Sequence, residues 1–335
     1  MSSLKNIKHF FRDHRDNFLI GEVFKIYRAL CDLYYDSKNK RFARKLRKKY
    51  KLDEKNYFTN LQGTKCRLAV TAIFRGEDEY LKDWIEFHRI VGVSHFFLYD
   101  NGNSSTSKAI LQPYIDKGVV TYIPWPNLDE PTFRNHYAWS QFSKMSIQKL
   151  AYGDCPIQYS NCFDWIIKID LDEYLYPRPP YTNLNQVFDI FDEENAMGAY
   201  FQSSRFGPSG HLERTGKTVI ESYDMRYPQF DKNFKVAAKS GYIDTDYGFH
   251  GCHFFFFKKH ADKKILFDDL TSKYIRLNHY YMKSKAEYAD KIKVNEQGYL
   301  KGKENIAKWN KVNGEASYKD EGEILRFAGE LNSRI

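Results

Sequence analysis

Asp170 and Asp172 stand one residue apart directly after the apolar run Trp165-Ile166-Ile167-Lys168-Ile169, and Glu173 follows them. Carboxylate oxygens suit hard divalent cations such as Mn²⁺ or Mg²⁺. A cation held in this way can act as a Lewis acid on a sugar-nucleotide diphosphate, whose leaving group departs with two negative charges. A D-x-D triplet alone arises often by chance on solvated loops. Its position just past a buried strand is what gives this one weight, because open α/β sheets bind ligands beyond the carboxyl ends of their strands. Other chemistries lack their motifs: the chain has no G-x-G-x-x-G, no G-x-x-x-x-G-K-[ST], no G-x-S-x-G and no H-E-x-x-H.

The elements that must position these acids are legible in the apolar pattern. Leu68–Phe74 is a short apolar run suited to a buried parallel strand. Leu81, Trp84, Ile85, His88 and Val91 then mark one face of an amphipathic helix. His95–Tyr99 predicts a second strand, which ends at the turn residues Asp100-Asn101-Gly102-Asn103. Ser104 or Ser105 can cap the helix that follows, and Val119–Ile123 predicts a third strand stopped by Pro124 and Pro126. A helix over roughly 135–151 precedes the fourth strand, at Trp165–Ile169. This alternation predicts an α/β fold with a mostly parallel central sheet. Two strand ends carry acids, Asp100 after the second and Asp170 with Asp172 after the fourth. Beyond residue 177 shorter strands are predicted at Ala199–Gln202, Thr218–Glu221, Lys235–Ala238 and Cys252–Phe257.

Composition narrows the class. The 335 residues can bury a substantial core, and the 26 Tyr and 26 Phe are too many for a disordered chain. Aromatic side chains form ordinary cores, and they also stack on the C–H faces of sugars. Residues 1–60 hold 16 Lys and Arg against 7 Asp and Glu, whereas the remainder is balanced at 36 of each. The net charge of +9 therefore belongs to an N-terminal arm, densest at 41–49. Such an arm can lie on anionic lipid headgroups, bind nucleic acid or be a solvated helix. A nucleic-acid partner is not expected, because the body is neutral and the arm lacks interleaved stacking aromatics. Five cysteines form no C-x-x-C pair, so neither a disulfide framework nor a zinc ribbon is expected, and a reducing cytoplasm is. No signal-peptide core and no run of about 20 apolar residues is present in the sequence.

Four blocks in order carry a resemblance. Ala72-Ile73-Phe74-Arg75-Gly76-Glu77 runs on through Trp84-Ile85-Glu86-Phe87-His88 to Gly92–Asn101; Asp164–Leu175 contains the aspartate pair. Phe206-Gly207-Pro208-Ser209-Gly210-His211 with Glu221-Ser222-Tyr223 is the third block, and Asn278-His279-Tyr280-Tyr281-Met282-Lys283-Ser284 the fourth. Together they resemble glycosyltransferase family 92, the galactan-synthase-like group of the GT-A fold, and its bacterial relatives, over roughly residues 67–298. One departure is Arg75-Gly76-Glu77 in place of the more usual Arg-Asn-Glu. The resemblance implies a GT-A, Rossmann-like nucleotide-sugar-binding fold, a UDP-linked donor with galactose the first candidate, a divalent metal, and inversion at the anomeric carbon. It puts Thr71, Arg75, Glu77 and Asp100 around the nucleotide, Asp170 and Asp172 on the metal, and His279 on the diphosphate or in the metal shell. A histidine beside two tyrosines is otherwise a packed, hydrogen-bonded side chain. Lys283 and Arg75 are expected to offset phosphate charge.

Inverting transfer needs a carboxylate or imidazole to take the acceptor proton. Glu213, Glu221 and His211 are the candidates beside the Gly-rich loop, with His250 and His253 as supporting groups. The expected organisation is a basic helical extension over 1–65, a GT-A domain over 66–300 and a helical tail over 301–335. The expected activity is metal-dependent transfer from a UDP-sugar to a glycan or glycolipid acceptor in cell-surface polysaccharide or glycolipid biosynthesis. The enzyme would be cytoplasmic, peripheral on the inner face of the plasma membrane through its basic arm. A metal-dependent nucleotide-sugar phosphohydrolase and a non-enzymatic carbohydrate-binding protein are the alternatives.

Overall fold

The computed structural model describes residues 37, 40–54, 65–125, 147–260, 262–296 and 305–335. The helical pattern through Phe18 to Leu30, and the start of the helix expected from residue 135, lie outside the described residues. Helix α1 (40–49) belongs to the basic segment. Next come β1 (Cys66–Phe74), α2 (Leu81–Ile90), β2 (His95–Asp100), α3 (Ser105–Asp116), β3 (Val120–Pro124), α4 (Ile147–Tyr159) and β4 (Phe163–Lys168). All four strands are parallel, in the order β3-β2-β1-β4. Ser104 caps α3, its hydroxyl accepting from the Ser107 N–H at 3.3 Å.

The chain then builds β5 (Glu173–Pro177), α5 (Leu184–Glu193), β6 (Ala196–Phe206), β7 (Met225–Lys239), β8 (Lys264–Leu266) and β9 (Ile275–His279). These continue the same sheet as β4-β7-β6-β9-β5, with β8 against β6. Five of the nine pairings among the described residues are parallel, so the sheet is mostly parallel, by a narrow margin. The architecture is the expected α/β, Rossmann-like one, with an antiparallel half added beside β4. Helices α6 (Lys285–Glu296), α7 (Ile306–Glu315) and α8 (Ala328–Asn332) complete it, with β10 (Tyr318–Lys319) pairing onto β7.

Two of the expected short strands are absent. Thr218–Glu221 lies instead in a helical turn at Val219–Ser222, whose backbone Val219 N–H donates to the buried Asp83 carboxylate at 3.0 Å. Cys252–Phe257 is held by isolated bridges, Gly251 to Phe254 and Ile243 to Phe257. The fully buried Lys168 ammonium grips this segment, donating to the Gly251 carbonyl at 2.5 Å and the Phe254 carbonyl at 2.8 Å. The run is thereby held as a tight turn, and Phe254, Phe255 and Phe256 point into the core.

Helix α4 connects the basic segment to the acids. Arg47 on α1 reaches the buried Asp154 of α4 at 2.7 Å, and the Tyr99 hydroxyl donates to the other Asp154 oxygen at 3.0 Å. Gly153 lets α4 touch the backbone of Phe249, since an added Cβ would lie 2.3 Å from the Phe249 Cα. The C-terminal residues are bound to the body as well. Asp320 pairs with Arg226 at 2.7 Å and with Arg276, and Phe327 and Leu331 join the core cluster around Phe87.

Burial also determines the protonation of two histidines. His88 donates from Nδ1 to the Trp84 carbonyl at 2.8 Å and accepts the Leu175 N–H at Nε2, 3.2 Å away, and burial pushes its pKa down to about 3. Burial likewise lowers His95 to about 4. Folded values below the unfolded value of about 6.5 mean that the unfolded chain binds more protons, so stability rises with pH in this window. Unfolding free energy from urea titrations is expected to fall between pH 6.5 and pH 4 by about 1.4 kcal/mol per unit for each such ring. Equal stability at pH 7 and pH 5 would contradict the buried, neutral assignment.

Candidate active site

The acids after β4 occupy a tight turn. The Glu173 N–H donates to the Asp170 carbonyl at 3.0 Å, and the Asp170 N–H donates to Glu173 Oε2 at 2.8 Å. Trp165–Lys168 pair with Val236–Lys239, which brings Lys235 of β7 to the turn just beyond the end of β4. Its ammonium bridges Asp170 Oδ2 and Glu173 Oε2, the latter at 2.9 Å. Burial pulls the Lys235 pKa down, but the two carboxylates outweigh it and hold the ammonium charged. From the other side α4 supplies the Tyr152 hydroxyl, 2.9 Å from Asp170 Oδ1.

Asp172 faces the other end of the turn. Its Oδ2 accepts from Lys291 of α6 at 3.0 Å, and its Oδ1 lies 3.4 Å from His279 Nε2. Burial pushes the Asp172 pKa up, yet Lys291 and His279 together draw it well below the usual carboxylate range. The Glu173–His279 register pair puts the imidazole beside both acids, with Nδ1 3.8 Å from Glu173 Oε1. Glu77 is half-buried nearby; burial and the Asp172 charge raise its pKa to about 7. Lys283 has its ammonium 3.7 Å from the Tyr80 ring centroid, and burial lowers its pKa against the pull of Asp172.

Among the described residues no group of three His, Cys, Asp or Glu side chains converges as a preformed metal cluster. Asp172 and His279 still fit a shared cation. Ligands about 2.1 Å from an octahedral Mg²⁺ sit about 3 Å from one another, close to the observed 3.4 Å. Mg²⁺-type sites use one or two carboxylates and complete their shell with water and substrate phosphates. The donor set thus suits a cation carried with a diphosphate.

Asp170, Glu173 and His279 open onto a cavity of 230 Å³ lined also by Arg205, Asp231, Lys235, His253, Tyr281 and Lys308, among others. A larger hollow of 310 Å³ lies by α1 between Arg44, Arg47 and Asp53. It holds no strand-end acid pair, so the chemistry belongs to the smaller one.

The structure brings together Asp170, Asp172, His279, Glu77 and Lys283. Other sequence candidates serve elsewhere. Asp100 is fully buried and saturated, accepting from the Gly102, Asn103 and Ser104 N–H groups and the Tyr122 hydroxyl at 2.8–3.0 Å. Thr71 is buried in the middle of β1, opposite Phe97 and Lys168, rather than at its end. Arg75 is half-buried against the 100–102 turn. Gly76 has φ +67°, a left-handed conformation that glycine and asparagine both tolerate, which accounts for Gly in place of Asn in the first block.

The base candidates are off the cavity. Glu213 is exposed, Glu221 accepts from Thr218 and from Asn332 at 3.2 Å, and His211 Nε2 meets the Ser222 carbonyl at 2.9 Å. His250 is a core group accepting the Phe256 N–H at 3.1 Å, whereas His253 lines the cavity. Sequence reasoning missed Lys235, Arg205, Asp231 and Lys291. The signal for Lys235 was its place in an otherwise apolar strand. The other three carried none.

The third and fourth blocks meet at the start of α6, where Lys285 and Ala286 N–H groups donate to the His211 and Leu212 carbonyls. Glu287 there accepts from Tyr80 at 2.6 Å and Tyr223 at 2.5 Å, which joins the first block to them. Lys235→Met is expected to lower stability by about 3 kcal/mol, since it leaves two packed carboxylates without their counter-charge. Unchanged urea unfolding would show that another cation serves them.

The profile of glycosyltransferase family 92 matches residues 69–235, half the chain to within a residue. A glycosyltransferase family 92 protein of Ricinus communis is 25% identical over 193 residues, covering 55% of this chain and 31% of that protein. One from Oryza sativa subsp. japonica is 23% identical over 55% of this chain and 29% of its own length. The Arabidopsis thaliana galactan beta-1,4-galactosyltransferase GALS1 is 29% identical over 36% of this chain and 24% of that protein. The chain thus spans less than a third of the length of these relatives, all from plants. The crystal structure of S. aureus TarS 1-349 aligns over 75% of this chain and 70% of that one, with TM-score 0.33 and 10% identity. The profile match and the relatives that share it make this chain a member of glycosyltransferase family 92.

Proposed function

We propose that the protein is a glycosyltransferase that moves galactose from UDP-galactose to a β-1,4-linked galactan or a related glycolipid acceptor, with inversion at the anomeric carbon. The observation that carries this reading is the pairing of Asp172 with His279, 3.4 Å apart at the carboxyl end of a parallel strand and flanked by Lys291. The name of the Arabidopsis relative supports galactose and galactan.

Asp172 and His279, with Asp170 beside them, would hold a Mn²⁺ or Mg²⁺ that neutralises the departing diphosphate. This chain's own cations would add to that charge, since Lys291 and Lys283 stand by Asp172. Tyr152 and Lys235 fix the Asp170 rotamer from both oxygens, so the turn is organised before a donor arrives.

Asp172→Asn is expected to lower transfer at least 100-fold and to abolish the thermal shift that UDP-galactose gives with Mn²⁺, with the circular dichroism spectrum unchanged. Full activity after chelation would remove the cation from the reading. Hydrolysis of UDP-galactose with no transfer to a galacto-oligosaccharide would make the protein a nucleotide-sugar phosphohydrolase. Binding of sugar with no turnover would make it a carbohydrate-binding protein.

The basic segment supports a peripheral position on the inner face of the plasma membrane. Arg41, Arg44, Lys45 and Lys48 are exposed on α1, which Arg47 pins to the body through Asp154. No helix of the described residues is long and apolar enough to cross a membrane. Each basic group near an anionic surface contributes roughly 1 kcal/mol. Changing these four to Gln is expected to weaken binding to phosphatidylserine vesicles by more than tenfold and to spare turnover in solution. Unaltered vesicle binding would end the membrane assignment.

A further inference from the structure

Inverting transfer, the reading on which this inference rests, requires a group that takes the acceptor proton. Glu213, Glu221 and His211 do not reach the cavity. The acids that line it are Asp170, Glu173 and Asp231. The first two share Lys235 and belong to the cation end. Asp231 stands apart from them.

Its position follows from a bulge. Gln202 and Ser204 of β6 pair with Phe234 and Phe230 of β7, so residues 231–233 oppose Ser203 alone. Bulges of this kind re-aim side chains beside active sites. This one brings Asp231 into the cavity wall. Across the sheet, Glu173, His279 and Arg205 are register partners on β5, β9 and β6. Arg205 then reaches over to Asp231 on β7, its Nε 3.1 Å from Oδ2. Neighbouring strands lie about 4.8 Å apart, so β7 runs about 10 Å from the His279 strand, with β6 between them.

The hydrogen bonds leave one oxygen available. Both Arg205 contacts go to Oδ2, and among the described residues Oδ1 accepts only the Asn233 N–H, at 3.2 Å. A carboxylate oxygen carries two acceptor sites, so Oδ1 retains one. The guanidinium keeps the carboxylate ionised and fixes its orientation.

We infer that Asp231 is the proton acceptor for the incoming hydroxyl, with Arg205 as its positioning residue. The acceptor oxygen forms its bond to the anomeric carbon as the bond from that carbon to the β-phosphate oxygen breaks. The electron pair leaves on the diphosphate, and the hydroxyl proton passes to Asp231 Oδ1.

The test uses the full chain, UDP-galactose and a β-1,4-galacto-oligosaccharide. If the wild-type protein moves no sugar to the oligosaccharide, the transferase reading falls and this inference with it. Given wild-type transfer, Asp231→Asn is expected to lower kcat by about 10²–10⁴-fold and leave the UDP-galactose thermal shift unchanged. Asp231→Glu is expected to recover part of the rate. The Arg205→Gln/Asp231→Asn double variant removes the ion pair as a unit, leaves no lone charge, and is expected to fold and remain inactive. Transfer within tenfold of wild type by either folded Asn variant overturns the assignment. So does an equal loss of donor binding, which would move Asp231 to the donor side.

Discussion

Lys235 lies between Asp170 and Glu173 with its ammonium almost wholly out of water, and the acidic turn depends on it. Three carboxylates within residues 170–173, with Glu77 close by, would repel one another if each kept its charge unopposed. Burial alone favours protonation, and Glu77 follows that course, helped by the Asp172 charge. Asp170 and Asp172 do not, because Lys235 and Lys291 outweigh burial at each. The turn is thus an ionised pair of aspartates held ready by two lysines from elements far apart in the chain.

The mixed sheet makes this possible. Its parallel half, β3-β2-β1-β4, brings the aspartate pair to a carboxyl edge. Its antiparallel half inserts β7 beside β4, which delivers Lys235 from one side and, within the bulge, Asp231 from further along the same strand. β9 brings His279 opposite Glu173, and Arg205 follows on β6. One half supplies the acids and the other supplies their counter-charges and the far cavity wall. α4 joins this arrangement to the basic segment, since it holds Asp170 through Tyr152 and Arg47 through Asp154.

Much of this was legible in advance. The strands ending at Phe74, Asp100 and Lys168 follow from apolar runs of a length and composition that suit buried parallel strands. Asp170, Asp172 and His279 stood out by residue type and block position, and they do meet. Asp100 and Thr71 show what such reading leaves open. A strand-end acid looks the same in sequence whether it faces a ligand or caps its own turn, and four hydrogen bonds commit Asp100 to the turn. The apolar Cys252–Phe257 run had the composition of a strand, but a buried lysine holds the Gly251 and Phe254 carbonyls around a turn.

From the sequence alone came the α/β class, the positions of the four parallel strands along the chain, the location of the acid pair and the family blocks. These are local properties: apolar period, turn chemistry and residue type within a few positions. Only the tertiary structure decided which cations neutralise which acids, and that Asp231 rather than Glu213, Glu221 or His211 borders the cavity. Those relations join residues 65 to 119 positions apart through strand register, a single bulge and the docking of α6. No local pattern encodes register between strands that meet only when the sheet is assembled.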